Sequence, residues 1–238
     1  MVVHSIFDAL ALLAAIAVYR LVPAAAPGVP QQPWQVHRLY IGAGSLGAIA
    51  GAYLAGSANL WLMGIGGLAR SIEGAIAGAI LGIEALKWQT AIRGSTGLRL
   101  VAPLAAAIAI GRLGCFFAGL DDMTYGTPTA LPWGVDFGDG VSRHPVQLYE
   151  AATMAAFLVV FVPLLRQGRE SLRRTGFYLF VAVYAVQRFG WEFLKPYATV
   201  VGPLNPFHLL SLALVAYALV FACRELRQPC PYRQPLRT

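Results

Sequence analysis

The sequence predicts an all-α integral membrane protein of about seven transmembrane helices, with a long extracytoplasmic loop between the fourth and fifth spans. Three observations carry this. Hydrophobic residues make up 58% of the chain, charged residues 12%, and mean hydropathy is +0.62, a balance that does not divide into one buried core and one wetted surface. Apolar runs long enough for a helix to cross about 30 Å of hydrocarbon recur along the chain. Lysine and arginine gather on alternate connections. No repeat, low-complexity stretch or soluble insertion interrupts the pattern, so residues 1–238 are expected to form a single polytopic membrane domain.

The first span is expected over 5–26. Its opening, "MVVHSIFDALALL", has no basic residue before the apolar run, which argues against a cleaved signal peptide, and Asp8 has no assigned role. The second span, 39–56, and the third, 71–87, are rich in small residues, with Gly47xxxGly51, Gly74xxxGly78 and Gly78xxxGly82. Such faces let helices approach closely where lipid supplies no hydrophobic drive. Between them, "ANLWLMGIGGLARSIEG" is apolar but interrupted by glycines, leaving room for a short re-entrant or interfacial piece. Glu84 and Lys87, three residues apart near the boundary, read as an anchoring pair.

The fourth span, 99–119, carries Arg112 and Cys115. The loop 120–145 is rich in Gly, Pro and Asp and reads as successive turns, with Tyr125, Trp133 and Phe137 at headgroup level, suited to a lid. Asp136 and Asp139 lack the spacing of a calcium loop. His144-Pro145 opens the fifth span, 146–165, because the residue before proline is held extended. The sixth span, 175–194, carries Arg188 and Glu192, and the seventh, 206–223, runs into a basic tail, 224–238.

Orientation follows from charge. With the C-terminus cytoplasmic and the N-terminus outside, the outer segments hold only Arg70, Arg143 and Lys195 of the 18 basic residues, and Arg112 and Arg188 lie within spans. This bias and attraction to anionic lipid account for the net charge of +7, so no nucleic-acid partner is expected. Cys115 lies in a span while Cys223 and Cys230 face the reducing side, so no disulfide is expected. Neither a metal nor a cofactor is called for.

A charge within a span is costly and marks function by default. Arg112 and Arg188 each lie about 13 residues into spans that run outward, or about 20 Å, and so share a level in the outer half. Glu192 is one turn beyond Arg188, while Glu73 and the group Arg143, His144, Gln147, Tyr149 and Glu150 begin spans that start outside. Arginine's planar donor fork suits phosphate, which makes a phospholipid the natural ligand.

In this order, "GRLGCFFAG", "YGTPTALPW", "RHPVQLYE" and "QRFGWEFLKP" resemble the prolipoprotein diacylglyceryl transferases, seven-span enzymes of the bacterial inner membrane. The resemblance covers about 71–196. It implies transfer of the diacylglyceryl group of phosphatidylglycerol to the thiol of the lipobox cysteine in a lipoprotein precursor, with release of glycerol phosphate. By position it carries over Arg112, Arg188, Glu192, Gly126 and the RHPVQLYE residues. Three departures stand out. Cys115 replaces an asparagine after "GRxG", Glu73 replaces a histidine before a double glycine, and "LDDMT" replaces a single acidic position, leaving Asp121 or Asp122 in its place.

The implied roles are charge stabilisation of the leaving phosphate by Arg112 and Arg188, and deprotonation of the acceptor thiol by Glu73 or, second, His144. Arg143, Gln147, Tyr149, Glu150, Glu192, Asp121, Asp122, Gly126 and Cys115 would line the substrate site. Two other readings stay open: the same fold acting on a different acceptor, and a lipid or organic-anion transporter. A transporter of that kind is expected to show an internal repeat and a pair of broken helices, and the sequence shows neither.

Overall fold

The computed structural model describes residues 2–22 and 34–227. Cys230 and the tail beyond residue 227 lie outside the described residues, as do 23–26 of the expected first span. Among the described residues there are seven α-helices: α1 (Val2–Leu21), α2 (Trp34–Leu62), α3 (Ile72–Thr90), α4 (Leu98–Ala118), α5 (Val146–Arg166), α6 (Glu170–Glu192) and α7 (Pro206–Arg227). The chain is an α-helical membrane protein: α1, α2, α4, α5 and α7 are long and apolar enough to cross a membrane. The other two are more charged, because α3 contains Glu73, Glu84 and Lys87 and α6 contains Glu170, Arg173, Arg174, Arg188 and Glu192.

The glycine-interrupted stretch between the second and third spans is part helix and part turn. Helix α2 continues to Leu62, and a turn segment with Gly64, Gly66 and Gly67 at positive φ then leads to α3. Ser71 caps α3, its hydroxyl accepting from the Gly74 N–H at 3.2 Å. The helix stops at Ala91, a left-handed residue whose N–H reaches back to the Lys87 carbonyl.

Packing is pairwise: α2 lies against α3, α1 against α4, α6 against α7 and α4 against α5. Further contacts of α4 and α5 with α6, and of α3 with α7, close the bundle. The α2–α3 pair meets at backbone level. A Cβ on Gly47 would collide with the Gly78 carbonyl, one on Gly51 with that of Gly74, and one on Gly82 with that of Ala43. The apolar core sits among α3 to α7 and includes Ile76, Val101, Ile108, Met154, Phe161, Phe180, Val181 and Leu214. Outward-facing leucines such as Leu12, Leu13, Leu46, Leu54 and Leu81 suit contact with lipid.

The loop between α4 and α5 is more ordered than a run of turns. It begins with a 3₁₀ turn, Gly119–Asp122, and contains a short antiparallel hairpin of β1 (Val135–Asp136) and β2 (Ser142–Arg143). Asp136 Oδ1 accepts from the N–H groups of Gly138, Asp139 and Gly140, so this aspartate builds the turn. Two hydrogen bonds pin the loop beyond the end of α6: Thr127 N–H to Leu194 O at 2.6 Å, and Tyr197 O–H to Met123 O at 3.2 Å.

Candidate functional site

The helix ends at the loop side bring together a buried network of six charges. Glu73 comes from the first turn of α3, Arg112 from late α4, Glu150 from early α5, Arg188 and Glu192 from late α6, and Lys195 from the segment just beyond α6. Each is at most 5% exposed. Ion pairing is the condition for holding charges at such burial.

Arg188 is the hub. Its Nε lies 3.2 Å from Glu73 Oε2 and its Nη2 lies 3.1 Å from Glu192 Oε2, while Nη1 pairs with Glu150 Oε1. Lys195 Nζ adds a second cation to the same carboxylates, at 2.7 Å from Glu150 and 3.7 Å from Glu192. Arg112 pairs with Glu150 Oε2, and its Nη1 lies 3.8 Å from Cys115 Sγ. Three cations thus face three carboxylates, yet they share them unequally. Arg188 contacts three carboxylates and Arg112 contacts one.

Helix α7 completes the frame. Ser211 Oγ–H donates to Glu73 Oε1 at 2.5 Å, and Asn205 Nδ2–H donates to Glu192 Oε1 at 3.3 Å. Asn205 also holds the start of α7, its Oδ1 accepting from Phe207 and His208 N–H. Some of the buried polar atoms without a protein hydrogen-bond partner lie on the same helices, among them both amide atoms of Gln147, one turn before Glu150, the Tyr184 hydroxyl, one turn before Arg188, and the Trp191 indole N–H; others, such as those of Tyr40, Asn59 and Arg173, lie elsewhere. A buried polar group lacking a partner costs about 1–3 kcal/mol, so these atoms call for bound water or a polar ligand.

The remaining residues expected at the site fall into two neighbouring groups. On the loop, His144 Nδ1 lies 3.4 Å from the Tyr149 hydroxyl, which accepts from Trp133 Nε1–H at 2.9 Å, and Trp191 packs on the Tyr149 ring. Gly126 packs against His144, where a Cβ would strike the His144 carbonyl that accepts the Gly126 N–H. Arg143 is apart from the buried cluster: it pairs with Asp139 at 2.7 Å and lies over the Tyr125 ring. Near the end of α4, Asp122 pairs with His4 at 2.8 Å and accepts from Thr124, while Asp121 is exposed. Cys115 and Cys223 are free thiols.

Sequence reasoning counted Lys195 among the outer segments and gave it no role; it lies buried inside the network, and its spacing of three from Glu192 was the available signal. It missed His4, Asn205 and Ser211, which have no local pattern to announce them. Glu84 and Lys87 form the expected pair at 2.8 Å, with the Tyr217 hydroxyl donating to Glu84 from α7. Asp8 lies 3.9 Å from Arg70 in an exposed pair.

The chain is similar to known proteins over most of its length. The sequence profile of the prolipoprotein diacylglyceryl transferase family matches residues 4–224. A phosphatidylglycerol–prolipoprotein diacylglyceryl transferase of Geobacter sulfurreducens is 34% identical over 71% of this chain and 66% of its own length. Its namesake in Ruegeria pomeroyi is 30% identical over 74% of this chain and 68% of its own, and that of Solidesulfovibrio magneticus 34% identical over 62% and 60%. The aligned part spans about two thirds of these relatives. No solved structure matches the chain. On the profile and these identities, the chain belongs to the prolipoprotein diacylglyceryl transferase family.

Proposed function

We propose that this protein transfers the diacylglyceryl group of phosphatidylglycerol to the lipobox cysteine thiol of a prolipoprotein, a step in lipoprotein maturation; its relatives' name, phosphatidylglycerol–prolipoprotein diacylglyceryl transferase, supports the lipid donor and the prolipoprotein acceptor. The reading places it in the bacterial inner membrane as one seven-span domain over residues 1–238. Its N-terminus and the 120–145 loop are outside, and its basic end, from Arg224 onward, is cytoplasmic. Supporting this topology is the distribution of lysine and arginine over the connections.

The observation that carries the chemistry is the unequal sharing of carboxylates within the buried network. Arg188, held by Glu73, Glu150 and Glu192, is committed to the frame, whereas Arg112 has one carboxylate and borders the loop side of the site. Arg112 is therefore the cation with donors to spare for a phosphodiester. The reaction is a displacement at the glycerol carbon next to the phosphate ester: thiolate sulfur attacks, the C–O bond breaks, and glycerol phosphate leaves with the electron pair. That leaving group is a weak base and needs positive charge more than a proton, which Arg112 supplies directly and Arg188 supports through Glu150. The Gln147 amide, buried and without a partner, is placed to hold headgroup oxygens.

Glu73 was the first expected base. With no solvent exposure, one oxygen on Ser211 and the other on Arg188, its surroundings favour a positioning role for Arg188. His144, half-buried beside Tyr149 at the mouth of α5, is left as the side chain better placed to meet an incoming thiol.

The test is to incubate the purified protein with phosphatidylglycerol and a lipobox peptide. A peptide mass increased by one diacylglyceryl group, with an equimolar release of glycerol phosphate, is the expected result. Phospholipid turnover with the peptide unmodified would move the reading to a different acceptor. No lipid turnover, with lipid flux across vesicles instead, would support a transporter.

A further inference from the structure

We propose that His4, Cys115 and Asp122 form a binding site for a divalent ion of the zinc class, whose open coordination position takes the acceptor thiol. The first half of the proposal stands on geometry alone, and the second half rests on the function proposed above.

The three residues come from separate parts of the chain: the first turns of α1, the last turn of α4 and the end of the 3₁₀ turn Gly119–Asp122. One donor atom from each lies within 4.8 Å of the other two, and His4 Nε2 is 2.8 Å from Asp122 Oδ1. Bonds of about 2.0–2.3 Å from a tetrahedral zinc ion to N, O and S put neighbouring ligand atoms about 3.5 Å apart. Side-chain rotation of about 1 Å therefore closes the set, with the ion taking the place of the proton between His4 and Asp122.

The donor set is selective. A thiolate with an imidazole disfavours hard cations such as calcium or magnesium and suits zinc, and three protein ligands leave one position for an exogenous group. Thr124 donates to the other carboxylate oxygen of Asp122 and so fixes the orientation of that ligand. The His4 and Asp122 side chains retain 26% and 14% exposure, so the site is reachable from the loop side.

Its position relative to the network gives it a task. Arg112 Nη1 lies 3.8 Å from Cys115 Sγ, so an ion held by Cys115 sits next to the cation assigned to the leaving phosphate. A thiol that coordinates the ion gives up its proton to water and stays bound as thiolate. That sulfur then attacks the glycerol carbon, and the C–O bond breaks toward the phosphate beside Arg112. Coordination thereby supplies the deprotonated nucleophile without a buried base.

The experiment uses the full chain in detergent, stripped with a chelator and reloaded with Zn²⁺ or Co²⁺. Expected are one zinc ion per chain and, with cobalt, a sulfur-to-cobalt charge-transfer band. Cys115→Ser should abolish the band, and His4→Gln should weaken binding at least about tenfold. Adding a lipobox peptide should strengthen the band, and its serine version should not. Substoichiometric zinc in the wild type, or a cobalt spectrum without a sulfur band, would overturn the site; neither result depends on whether a variant folds. In the transfer assay, stripping should lower turnover at least about tenfold and zinc should restore it. Bound zinc with turnover indifferent to its removal would overturn the thiol role. Bound zinc with no transfer in any state would overturn that role and the proposed function together, while the ion site stood.

Discussion

Between α2 and α3 the helices meet through glycine, with Gly47 against Gly78 and Gly51 against Gly74 at backbone distance, whereas α3, α4, α5, α6 and the segment just beyond α6 meet on the loop side through six buried charges. Both solve the same problem. Lipid tails are as apolar as leucine, so helices in a membrane gain little from hydrophobic burial and need another reason to associate. The glycine seam uses close van der Waals contact and desolvates no charge. The ion network is costly to desolvate, and well-packed apolar residues are often a more stable choice than buried pairs. Its presence where Gln147, Tyr184 and Trp191 also lack protein partners is in keeping with the site proposed for that end of the bundle.

The largest effect is expected from breaking the network at Glu150, the carboxylate that contacts Arg112, Arg188 and Lys195. Glu150→Ala should cost about 3–5 kcal/mol, the range for a buried charge left unpaired, and should abolish lipid turnover; thermal unfolding and the transfer assay read the two losses. Breaking the seam with Gly78→Val should cost about 1–3 kcal/mol by forcing α2 from α3, while the folded fraction keeps wild-type turnover per molecule. Unchanged stability there would show that the seam is not a contact at all.

Glu73 sharpens the comparison, since it comes from a seam helix and reaches into the network. As a positioning residue, its Gln variant should lower stability, lipid affinity and turnover together, and His should rescue nothing. Abolished turnover in Glu73→Gln with lipid binding intact, and partial rescue by His, would return it to the role of base.

The smallest effect belongs to the loop. Arg143 hydrogen-bonds the Asp139 carboxyl and holds it below the usual carboxylate range. A depressed value in the folded state means the pair supports the hairpin above the unfolded carboxylate range and fades as pH falls through the folded one. Asp139→Asn should remove that acid sensitivity, visible as faster proteolysis of the loop at neutral pH, with little change in global unfolding.

Helix positions were legible because lipid imposes a length and proline and glycine punctuate it: α4 and α5 fall within a residue or so of the apolar runs at 99–119 and 146–165. The helical continuation to Leu62 was hidden by the glycines after it, and the hairpin by the shortness of its strands. In the site, Arg112, Arg188, Glu192, Glu73 and Glu150 stood out because a charge in a span is conspicuous. Their pairing did not, since Arg112 to Glu150 and Arg188 to Glu73 join helices whose contact is decided in three dimensions. Cys115 and Asp122 were visible as separate departures from a family pattern; only the fold brings them to His4.

The central claim is that the network exists to hold Arg112 with donors free for the phosphate. Turnover of phosphatidylglycerol by Arg112→Lys, measured beside its unfolding temperature and lipid affinity, tests this most directly, because lysine keeps the charge for Glu150 and loses the planar fork. The account predicts a folded protein whose turnover falls at least about tenfold. Wild-type turnover in folded Arg112→Lys, and again in Arg112→Ala, would contradict it.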